Sequence, residues 1–277
     1  MHTLRKEASP DPAEEDLGQM GPEPKDRNFV TALARGLEIL RVFDANDSLL
    51  GNQEIAARTG LPKPTVSRLT YTLTQLGYLE YSERMGKYRL AAGVLALGYS
   101  VLSGMGIRRI ARPYMQELAE YANASVSLGS RNRLDMVYIE NVRPARALAV
   151  PLEVGSWIPV ATTAMGRALL AALPEDERQA LVNAIAESDP AAWPRRRQGI
   201  EQAIEHYQIH GFTLSLGEWH PSVHAVGVPL ALPDGSSILA FNCGAPAYLF
   251  DPARMITDLG PRLVHLVRNV EAALTKG

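Results

Sequence analysis

Five side chains that can contact a polyanion lie close together in the stretch KPTVSRLTY. They are a lysine, a threonine, a serine, an arginine and a tyrosine: Lys63, Thr65, Ser67, Arg68 and Tyr71. Hydroxyl and cationic groups are the donors that proteins use toward phosphate oxygens, and arginine also pairs with the N7 and O6 acceptors of guanine. The residue types therefore predict contact with a nucleic acid backbone and with base edges.

The apolar residues between these donors predict the helix that positions them. They recur every three or four positions, which is the period of one helix face: Val66, Leu69, Leu73 and Leu76. Pro64 suits the first turn, where a backbone N–H has no acceptor within the helix. The polar residues fall on the opposite face, and we expect that face, with Pro64 at its start, to lie against DNA.

Two shorter patterns upstream predict the helices that support this one. Leu33, Leu37 and Leu40 are spaced as an amphipathic helix that continues to Phe43. A second helix is expected from about residue 52, and Gly60 is its expected stop. Helices joined by turns this short pack against one another, so a compact three-helix unit is predicted.

A β-hairpin is predicted directly after the third helix. Residues 78–81 and 87–90 alternate in polarity, and Gly86 between them can adopt a positive φ. Arg84 and Lys87 are expected at its tip, where they would follow the phosphate backbone. Three helices and a hairpin make a winged helix-turn-helix. The same pattern also fits a solvated helix face, or a helix-turn-helix that binds protein instead of DNA.

A second group of candidate residues lies where an extended segment runs into a helix through small side chains. These residues are Val160, Ala161, Thr162, Thr163 and Ala164. The first N–H groups of a helix have no acceptor within it, and the helix dipole favours an anion there. We therefore expect this entrance to bind the carboxylate of a small organic acid.

The remaining pattern of the second half predicts an α+β ligand domain. Extended stretches are expected at 212–216, 224–232 and 237–246, and a hairpin is expected to turn at Arg131–Asn132. Pro174 is expected to separate two helices. These strands would form a central antiparallel sheet flanked by helices.

Aromatic and imidazole side chains near the predicted strands suggest a flat ligand. Trp157, Trp219, His220 and His224 are the residues concerned, with Asn242 available to a ring substituent. The alternative is ordinary core packing of the tryptophans and structural hydrogen bonding of the histidines. The sequence therefore favours an aromatic acid, with a small aliphatic keto acid as the alternative effector.

Neither a metal site nor an enzyme is predicted. His206 and His210 are four apart on a predicted helix, but ligands for a metal must converge in space, which this spacing alone does not achieve. The His-Glu-x-x-His motif, the Gly-x-Ser-x-Gly motif and a phosphate-binding loop are all missing from the sequence. We expect no cofactor.

The composition of the chain limits the compartment in which the protein works and the way in which it can bind DNA. The net charge is −2, so DNA must be met by a local basic patch. The single cysteine fits a reducing compartment, and no apolar run is long enough to span a membrane, so we expect a cytoplasmic protein. Residues 1–27 are rich in Pro, Glu, Asp and Gly, and they are expected to form a disordered tail.

The stretch between the two predicted domains is apolar and rich in small residues. Residues 91–105 read AAGVLALGYSVLSGM and contain no charge. Such a helix has more apolar surface than one domain needs, which favours burial in a homodimer; the alternative is ordinary packing against the hairpin. The predicted organisation is therefore a DNA-binding domain at 28–90, this linker helix at 91–105 and a ligand domain at 106–277.

These motifs resemble those of the IclR family of bacterial transcriptional regulators. The resemblance rests on RGLEILRVF, EIAARTGLPKPTVSRLTYTLTQLGYLE and YRLAAGVLALG in the first half, and on GSWIPVATTAMGRALLAALPEDE in the second. It implies a DNA-binding regulator with an N-terminal winged helix-turn-helix, a linker helix used in dimerisation and a C-terminal GAF-like α/β effector-binding domain. Expected partners are double-stranded operator DNA, a small organic acid effector and further copies of the chain, as a homodimer or a dimer of dimers.

The resemblance also implies further effector-binding positions. In addition to the helix entrance, family members contact effectors through segments that match Trp219, His220, Val223, Ala225, Asn242 and Gly244 here. Several small-acid sensors of the family carry serines where this chain has Asn242 and Gly244, so their ligands do not transfer directly.

Overall fold

The structure is a computed structural model that describes residues 28–43, 47–144 and 152–275. The predicted tail at 1–27 lies outside the described residues. The chain divides into two compact units, Met1–Val101 and Leu102–Gly277.

The first unit has the predicted order of three helices and a hairpin. Its elements are α1 Thr31–Arg41, α2 Asn52–Thr59, α3 Lys63–Gln75, β1 Leu79–Ser82 and β2 Lys87–Leu90. Gly60 ends α2, and Pro64 lies in the first turn of α3, as predicted. Gly86 has a φ of 63° in the turn between β1 and β2, a conformation that costs glycine little. The four residue pairs from Leu79↔Leu90 to Ser82↔Lys87 make the hairpin antiparallel.

One small core holds these elements together, and it uses only part of each predicted apolar stripe. Ile39 of α1, Ile55 of α2 and Val66 of α3 are completely buried in it. Leu33 and Leu37 were expected on the buried face of α1 but are more than half exposed. The helix instead buries the neighbouring face that carries Gly36 and Ile39.

The linker helix α4, Ala92–Gly104, has no buried residue. Its most exposed apolar side chains are Leu95, with 74% of its surface accessible, and Tyr99, with 69%. All thirteen residues of this helix are described, and none carries a charge. The chain on its own therefore leaves an apolar helix uncovered.

The second unit contains a six-stranded antiparallel sheet with strand order β5-β4-β3-β8-β7-β6. The strands are β3 Ser125–Asn132, β4 Asp135–Val142, β5 Trp157–Pro159, β6 Thr213–Leu216, β7 Val223–Ala231 and β8 Ile238–Pro246. The hairpin of β3 and β4 turns at Arg133 and Leu134, two residues later than predicted. Arg133 has a φ of 56°, so the turn conformation falls on a residue that polarity alone does not mark.

Helices cover both faces of this sheet. They are α5 Ile107–Ala122, α6 Ala164–Ala172, α7 Glu175–Ser188, α8 Trp193–His210, the short α9 Pro252–Arg254 and α10 Gly260–Thr275, with a π-helical turn Met255–Leu259 between the last two. One hydrophobic core joins α5 and α10 to the sheet. A second core joins α6, α7 and α8 to it. The predicted α+β class is confirmed, and Pro174 separates α6 from α7 as expected.

A glycine brings the start of α6 directly onto the sheet. A side chain at Gly227 of β7 would overlap the carbonyl group of Ala164, the first residue of α6. The bare backbone lets the amino end of this helix lie against the strands. This close approach is what forms one wall of the pocket described below.

No helix among the described residues is long and apolar enough to cross a membrane.

Candidate DNA-reading surface and ligand pocket

The outer face of α3 is open to solvent along its whole length. Its exposed residues are Lys63, Pro64, Ser67, Arg68 and Tyr71, and Thr65 is partly buried. Tyr71 keeps 66% of its surface accessible although it is a large aromatic residue. The predicted donors therefore share one accessible surface beside the amino end of the helix.

Other hydroxyl groups of the same helix serve its structure. Thr70 is completely buried and donates to the carbonyl of Val66 at 2.9 Å. Its hydroxyl also lies 3.2 Å from Oδ1 of Asn52, which ties α3 to α2. Thr72 and Thr74 donate to carbonyl groups four residues earlier in α3. Ser67, in contrast, lies on the open face beside Arg68.

The wing is attached to α2 by an ion pair. Nζ of Lys87 lies 2.9 Å from Oε1 of Glu54, and Oε2 of Glu54 accepts the N–H of Gly51 at 2.6 Å. The Gly51 hydrogen bond and then Lys87 hold the pKa of Glu54 below its usual value, against a small opposing effect of burial. Lys87 thus has a carboxylate partner, whereas Arg84 lies exposed at the tip of the hairpin.

The second unit contains a pocket between the amino end of α6 and the sheet. Its lining residues are Ser125, Ser127, Tyr138, Asn141, Leu152, Ile158, Thr163, Ala164, Ser215, Trp219, Val223, Ala225, Asn242 and Gly244. Its volume is about 40 Å³. Seven of the eleven predicted effector-binding residues line this pocket: Thr163, Ala164, Trp219, Val223, Ala225, Asn242 and Gly244. The predicted entrance segment therefore contributes only its last two residues.

Four predicted residues point elsewhere. Val160 and Ala161 are buried in the core beneath α6, and a side chain at Gly166 would overlap Val160. Thr162 is partly buried, and its carbonyl accepts the hydroxyl of Ser215 at 2.8 Å. His220 is exposed and pairs with Ser222.

The alternation of β7 also removes His224 from the pocket. Val223 and Ala225 face the cavity, whereas Nδ1 of His224 lies 2.9 Å from the Phe250 carbonyl on the other side of the sheet. Trp157 of β5 is 41% exposed and lies outside the pocket lining. Of the aromatic and imidazole residues singled out in the sequence, Trp219 is the one that reaches the cavity.

The pocket also contains polar residues that the sequence did not single out. Strand register brings Ser125 of β3 opposite Gly244, and Ser127 opposite both Asn242 and Asn141. The sequence signal that could have found them is the SVS repeat, because residues two apart face the same side of a strand. Tyr138 and Ser215 come from strands whose pairing the sequence does not specify.

The pocket has a mainly apolar surface with several polar groups, and it is uncharged. None of the described residues that line it carries a formal charge. Burial raises the pKa of the Tyr138 phenol, so this group remains protonated at neutral pH. Thr163 caps α6 by accepting the N–H of Gly166 at 3.2 Å, and it donates to the Pro159 carbonyl at 2.6 Å. The positive end of α6 is therefore the electrostatic feature that favours an anion here.

A buried arginine holds the loop that carries Trp219. Arg167 of α6 is 3% exposed, and its Nη1 lies 2.6 Å from Oε1 of Glu218 and 3.2 Å from the Leu214 carbonyl. Its Nε donates to the Ala161 carbonyl at 3.0 Å. Burial raises the pKa of Glu218, but the Arg167 guanidinium and the backbone N–H groups of Leu216 and Glu218 together outweigh burial and hold that pKa below its usual value. This pair fixes the residue next to Trp219.

The described residues contain no group of three or more His, Cys, Asp or Glu side chains arranged to hold a metal ion. The rings of His206 and His210 stack at 4.4 Å, and Nδ1 of His206 lies 2.9 Å from the carbonyl of Phe212. These contacts give the two histidines a packing role.

A winged helix-turn-helix joined to a sheet domain that contains a pocket is the arrangement expected of a DNA-binding regulator. The family model for the bacterial transcriptional regulator IclR C-terminal region matches residues 99–271, and the model for the IclR helix-turn-helix domain matches residues 32–83. The chain belongs to the IclR family of transcriptional regulators, so it is a DNA-binding transcription factor and not an enzyme.

Similar proteins span nearly the full length of the chain. The HTH-type transcriptional regulator TsaQ1/TsaQ2 of Comamonas testosteroni is 35% identical over 89% of this chain and 89% of its own. The structure of an IclR family transcriptional regulator from Brucella abortus is 47% identical, covers 92% of this chain and 96% of its own, and has a TM-score of 0.83. An IclR homolog from Microbacterium hydrocarbonoxydans, solved with 4-hydroxybenzoate, is 19% identical with a TM-score of 0.68 over 89% of this chain and 100% of its own, a likeness of fold alone.

Proposed function

We propose that this regulator binds operator DNA through the exposed face of α3 and changes its DNA affinity when a small organic acid occupies the pocket beside α6. The observation that carries the proposal is the uncharged pocket, lined by apolar side chains and several polar groups, beside the amino end of a helix. An anion there gains about 0.3–1 kcal/mol from the dipole when exposed and up to about 2 kcal/mol when partly buried. The genes it controls would be those that degrade this acid.

The DNA contacts follow from the accessible residues of α3 and the wing. Arg68 lies on the exposed face and suits a base edge, whereas Lys63, Ser67 and Tyr71 beside it suit phosphate oxygens. Thr65 lies in the first turn with Pro64, at the end of the helix where backbone N–H groups also favour phosphate. Arg84, exposed at the tip of the hairpin, would contact the DNA backbone beside the segment that α3 binds. Lys87 contributes charge from its position beside Glu54.

An aromatic acid is favoured by Trp219, whose indole forms part of the pocket wall. The cavity volume of about 40 Å³ is well below the roughly 150 Å³ that holds a benzene ring, so an aromatic acid requires the pocket to widen. A short aliphatic acid is the second candidate, because it has fewer atoms to accommodate than an aromatic acid.

The experiment compares ligand binding with DNA binding on the same protein. An operator is first selected from random duplexes, and its affinity is then measured by fluorescence anisotropy with and without benzoate, 4-hydroxybenzoate, butyrate, 3-hydroxybutyrate and acetoacetate. Calorimetry measures the binding of each acid directly. We expect at least one acid to bind and to shift operator affinity by about fivefold or more, the scale of allosteric coupling.

A pocket variant separates the two activities. Ala225→Leu adds three carbons to a side chain that lines the cavity, so it should abolish acid binding and leave operator affinity in the absence of acid unchanged. Exposed Ala253→Leu, outside the pocket, is the matched control. If no acid in the panel binds the wild-type protein, the proposal is wrong.

Two copies of the chain are proposed to form the working unit. The uncovered apolar surface of α4 supports a homodimer, and a dimer of dimers extends the same arrangement. Two α3 helices held at a fixed separation would read two half-sites of one operator.

A further inference from the structure

A buried carboxylate joins the sheet to α5 on the side away from the pocket. Glu140 of β4 is 4% exposed, and its two oxygens pair with two arginines. Nη2 of Arg108 lies 3.1 Å from Oε2, and Nη1 of Arg112 lies 2.7 Å from Oε1. The two arginines are four residues apart on α5, so they share one helix face. Glu140 therefore fixes the beginning of α5 against β4.

A β-bulge places both neighbours of this carboxylate in the pocket wall. The pairing of β3 with β4 shifts register after Leu128, so Ile139 is an extra residue in β4. Tyr138 and Asn141 consequently both line the pocket, although they are an odd number of residues apart. The backbone N–H of Asn141 donates to Oε1 of Glu140 at 3.2 Å. Asn141 thus lines the pocket with its side chain and holds the buried carboxylate with its backbone.

One of the two arginines also reaches the end of the linker helix. Nη1 of Arg108 lies 3.4 Å from the carbonyl oxygen of Leu102, in the last turn of α4. The last carbonyl groups of a helix have no amide partner within it, and a cation is favoured at this negative end. This contact is the longest in the cluster, and Nε of Arg108 is buried without a hydrogen-bond partner among the described residues. A second position of the guanidinium, with Leu102 released and Nε paired, can therefore compete with this one.

The other end of α4 is held by the first unit. The N–H of Gly93 donates to the carbonyl of Gly77 at 3.3 Å, and a side chain at position 93 would overlap that carbonyl. Gly77 follows directly after the carboxyl end of α3. The boundary between the two compact units falls after Val101, so α4 takes part in both. A change in the last turn of α4 is therefore a change in the helix that is attached next to α3.

We infer that Arg108 transmits occupancy of the pocket to α4, and that Glu140 is the positioning residue that holds Arg108 on the Leu102 carbonyl. The inference rests on the proposed function, because it concerns the response to an acid in that pocket. An acid that contacts the Asn141 side chain shifts the backbone N–H that holds Glu140. Arg108 then leaves Leu102, and the last turn of α4 is released. The empty and the occupied pocket thus favour different positions of one guanidinium, which is the differential contact that allostery requires.

Two arginine variants of the full-length protein test the positioning of α4. Arg108→Gln and Arg112→Gln each remove one cation from Glu140, but Arg108 also contacts Leu102, whereas the described residues show no contact of Arg112 with α4. Arg112→Gln is therefore the matched control. Amide hydrogen exchange, measured by mass spectrometry without ligand, should become about tenfold faster at residues 102–106 in Arg108→Gln and stay unchanged there in Arg112→Gln. Equal exchange in the two variants would overturn the inference.

The response to an acid is measured on the same variants. Benzoate, 4-hydroxybenzoate, butyrate, 3-hydroxybutyrate and acetoacetate are tested by calorimetry for binding and by fluorescence anisotropy for their effect on operator affinity. For an acid that shifts the wild-type affinity about fivefold or more, Arg112→Gln should keep that shift. Arg108→Gln should still bind the acid, but its operator affinity should change by less than about twofold.

Circular dichroism and thermal melting confirm folding of both variants. If Arg108→Gln does not fold, Arg108→Lys takes its place, because lysine keeps the charge but lacks the two-armed guanidinium that joins Glu140 to Leu102. A full shift in the Arg108 variant, or loss of the shift in both variants, would overturn the inference while the proposed function stands. If no acid binds the wild type and shifts its operator affinity, the proposed function is wrong and the inference falls with it.

Discussion

At the scale of single residues, the role of each polar side chain of α3 depends on whether its hydrogen-bond partner lies inside the protein or outside it. Thr70 satisfies its hydroxyl inside the protein and ties α3 to Asn52. Arg68 has its guanidinium on the exposed face, where a base edge can supply the acceptors. Polar residues of the same helix therefore either stabilise the fold, as Thr70 does, or are available to contact DNA, as Arg68 is.

We predict that Arg68→Ala weakens operator binding by about tenfold to a hundredfold and leaves the melting temperature unchanged. The reason is the loss of a bidentate base contact, which is worth about 1–3 kcal/mol, from a side chain outside the core. Fluorescence anisotropy at fixed salt measures the effect. Arg109→Ala, which removes the same charge from an exposed site on α5, is the control and should bind as the wild type. Unchanged affinity in Arg68→Ala would contradict the prediction.

Arg84 should act on the DNA backbone without regard to sequence. Arg84→Ala is expected to weaken binding to operator and random duplex alike, and to reduce the slope of log affinity against log salt by about one unit. Lys87→Met should change the slope less, because Nζ of Lys87 is 2.9 Å from a Glu54 oxygen and its charge is partly compensated. If the two variants flatten the slope equally, the Lys87–Glu54 pair must open on DNA.

At the scale of elements, the buried pair of Arg167 and Glu218 joins α6 to the loop that closes the pocket. Arg167 is nearly inaccessible, and its guanidinium is held by one carboxylate and two carbonyl groups. Gly199 of α8 leaves room for that guanidinium, because any side chain at position 199 would overlap it. The packing of α6, α8 and the loop that carries Glu218 therefore depends on the Arg167 guanidinium.

Glu218→Gln is predicted to lower the free energy of unfolding at pH 7 by about 1–2 kcal/mol. The value is below that for a fully buried pair because the Glu218 side chain is 31% exposed. The pKa of Glu218 is lowered in the folded state, so its contribution is complete above the ordinary value of 4.5 and is lost as the pH falls below it. Urea titrations should show the difference between the two proteins shrinking as the pH falls from 7 to 3.5. A difference that stays constant with pH would contradict this origin.

At the scale of the whole molecule, the uncovered face of α4 predicts self-association. Leu95→Asp and Tyr99→Asp place a charge on highly exposed apolar positions, so they should leave each chain folded but favour the monomer. Sedimentation at micromolar concentration is expected to show a dimer or larger species for the wild type and a monomer for the double variant. Ser103→Asp, an exposed polar position on the same helix, is the control. A wild-type monomer would contradict the prediction.

The sequence by itself determined the elements and their class. Helix period, glycine and proline positions and alternating polarity identified α2, α3, the wing, the strands β6 to β8 and the break at Pro174, because these signals are local. It also identified the donor face of α3, since a face is set by the helix period alone. Sequence motifs were sufficient to recognise the family for the same reason.

Tertiary structure decided which residues share the pocket and how they are oriented. Ser127, Tyr138, Asn141 and Asn242 come from three strands, and only strand register brings them together. Val160 and Ala161 matched the expected segment, yet the close packing of α6 on the sheet buried them below the cavity. The contact between Asn242 and the Tyr138 hydroxyl joins residues 104 positions apart, and no local pattern in the chain encodes such a contact.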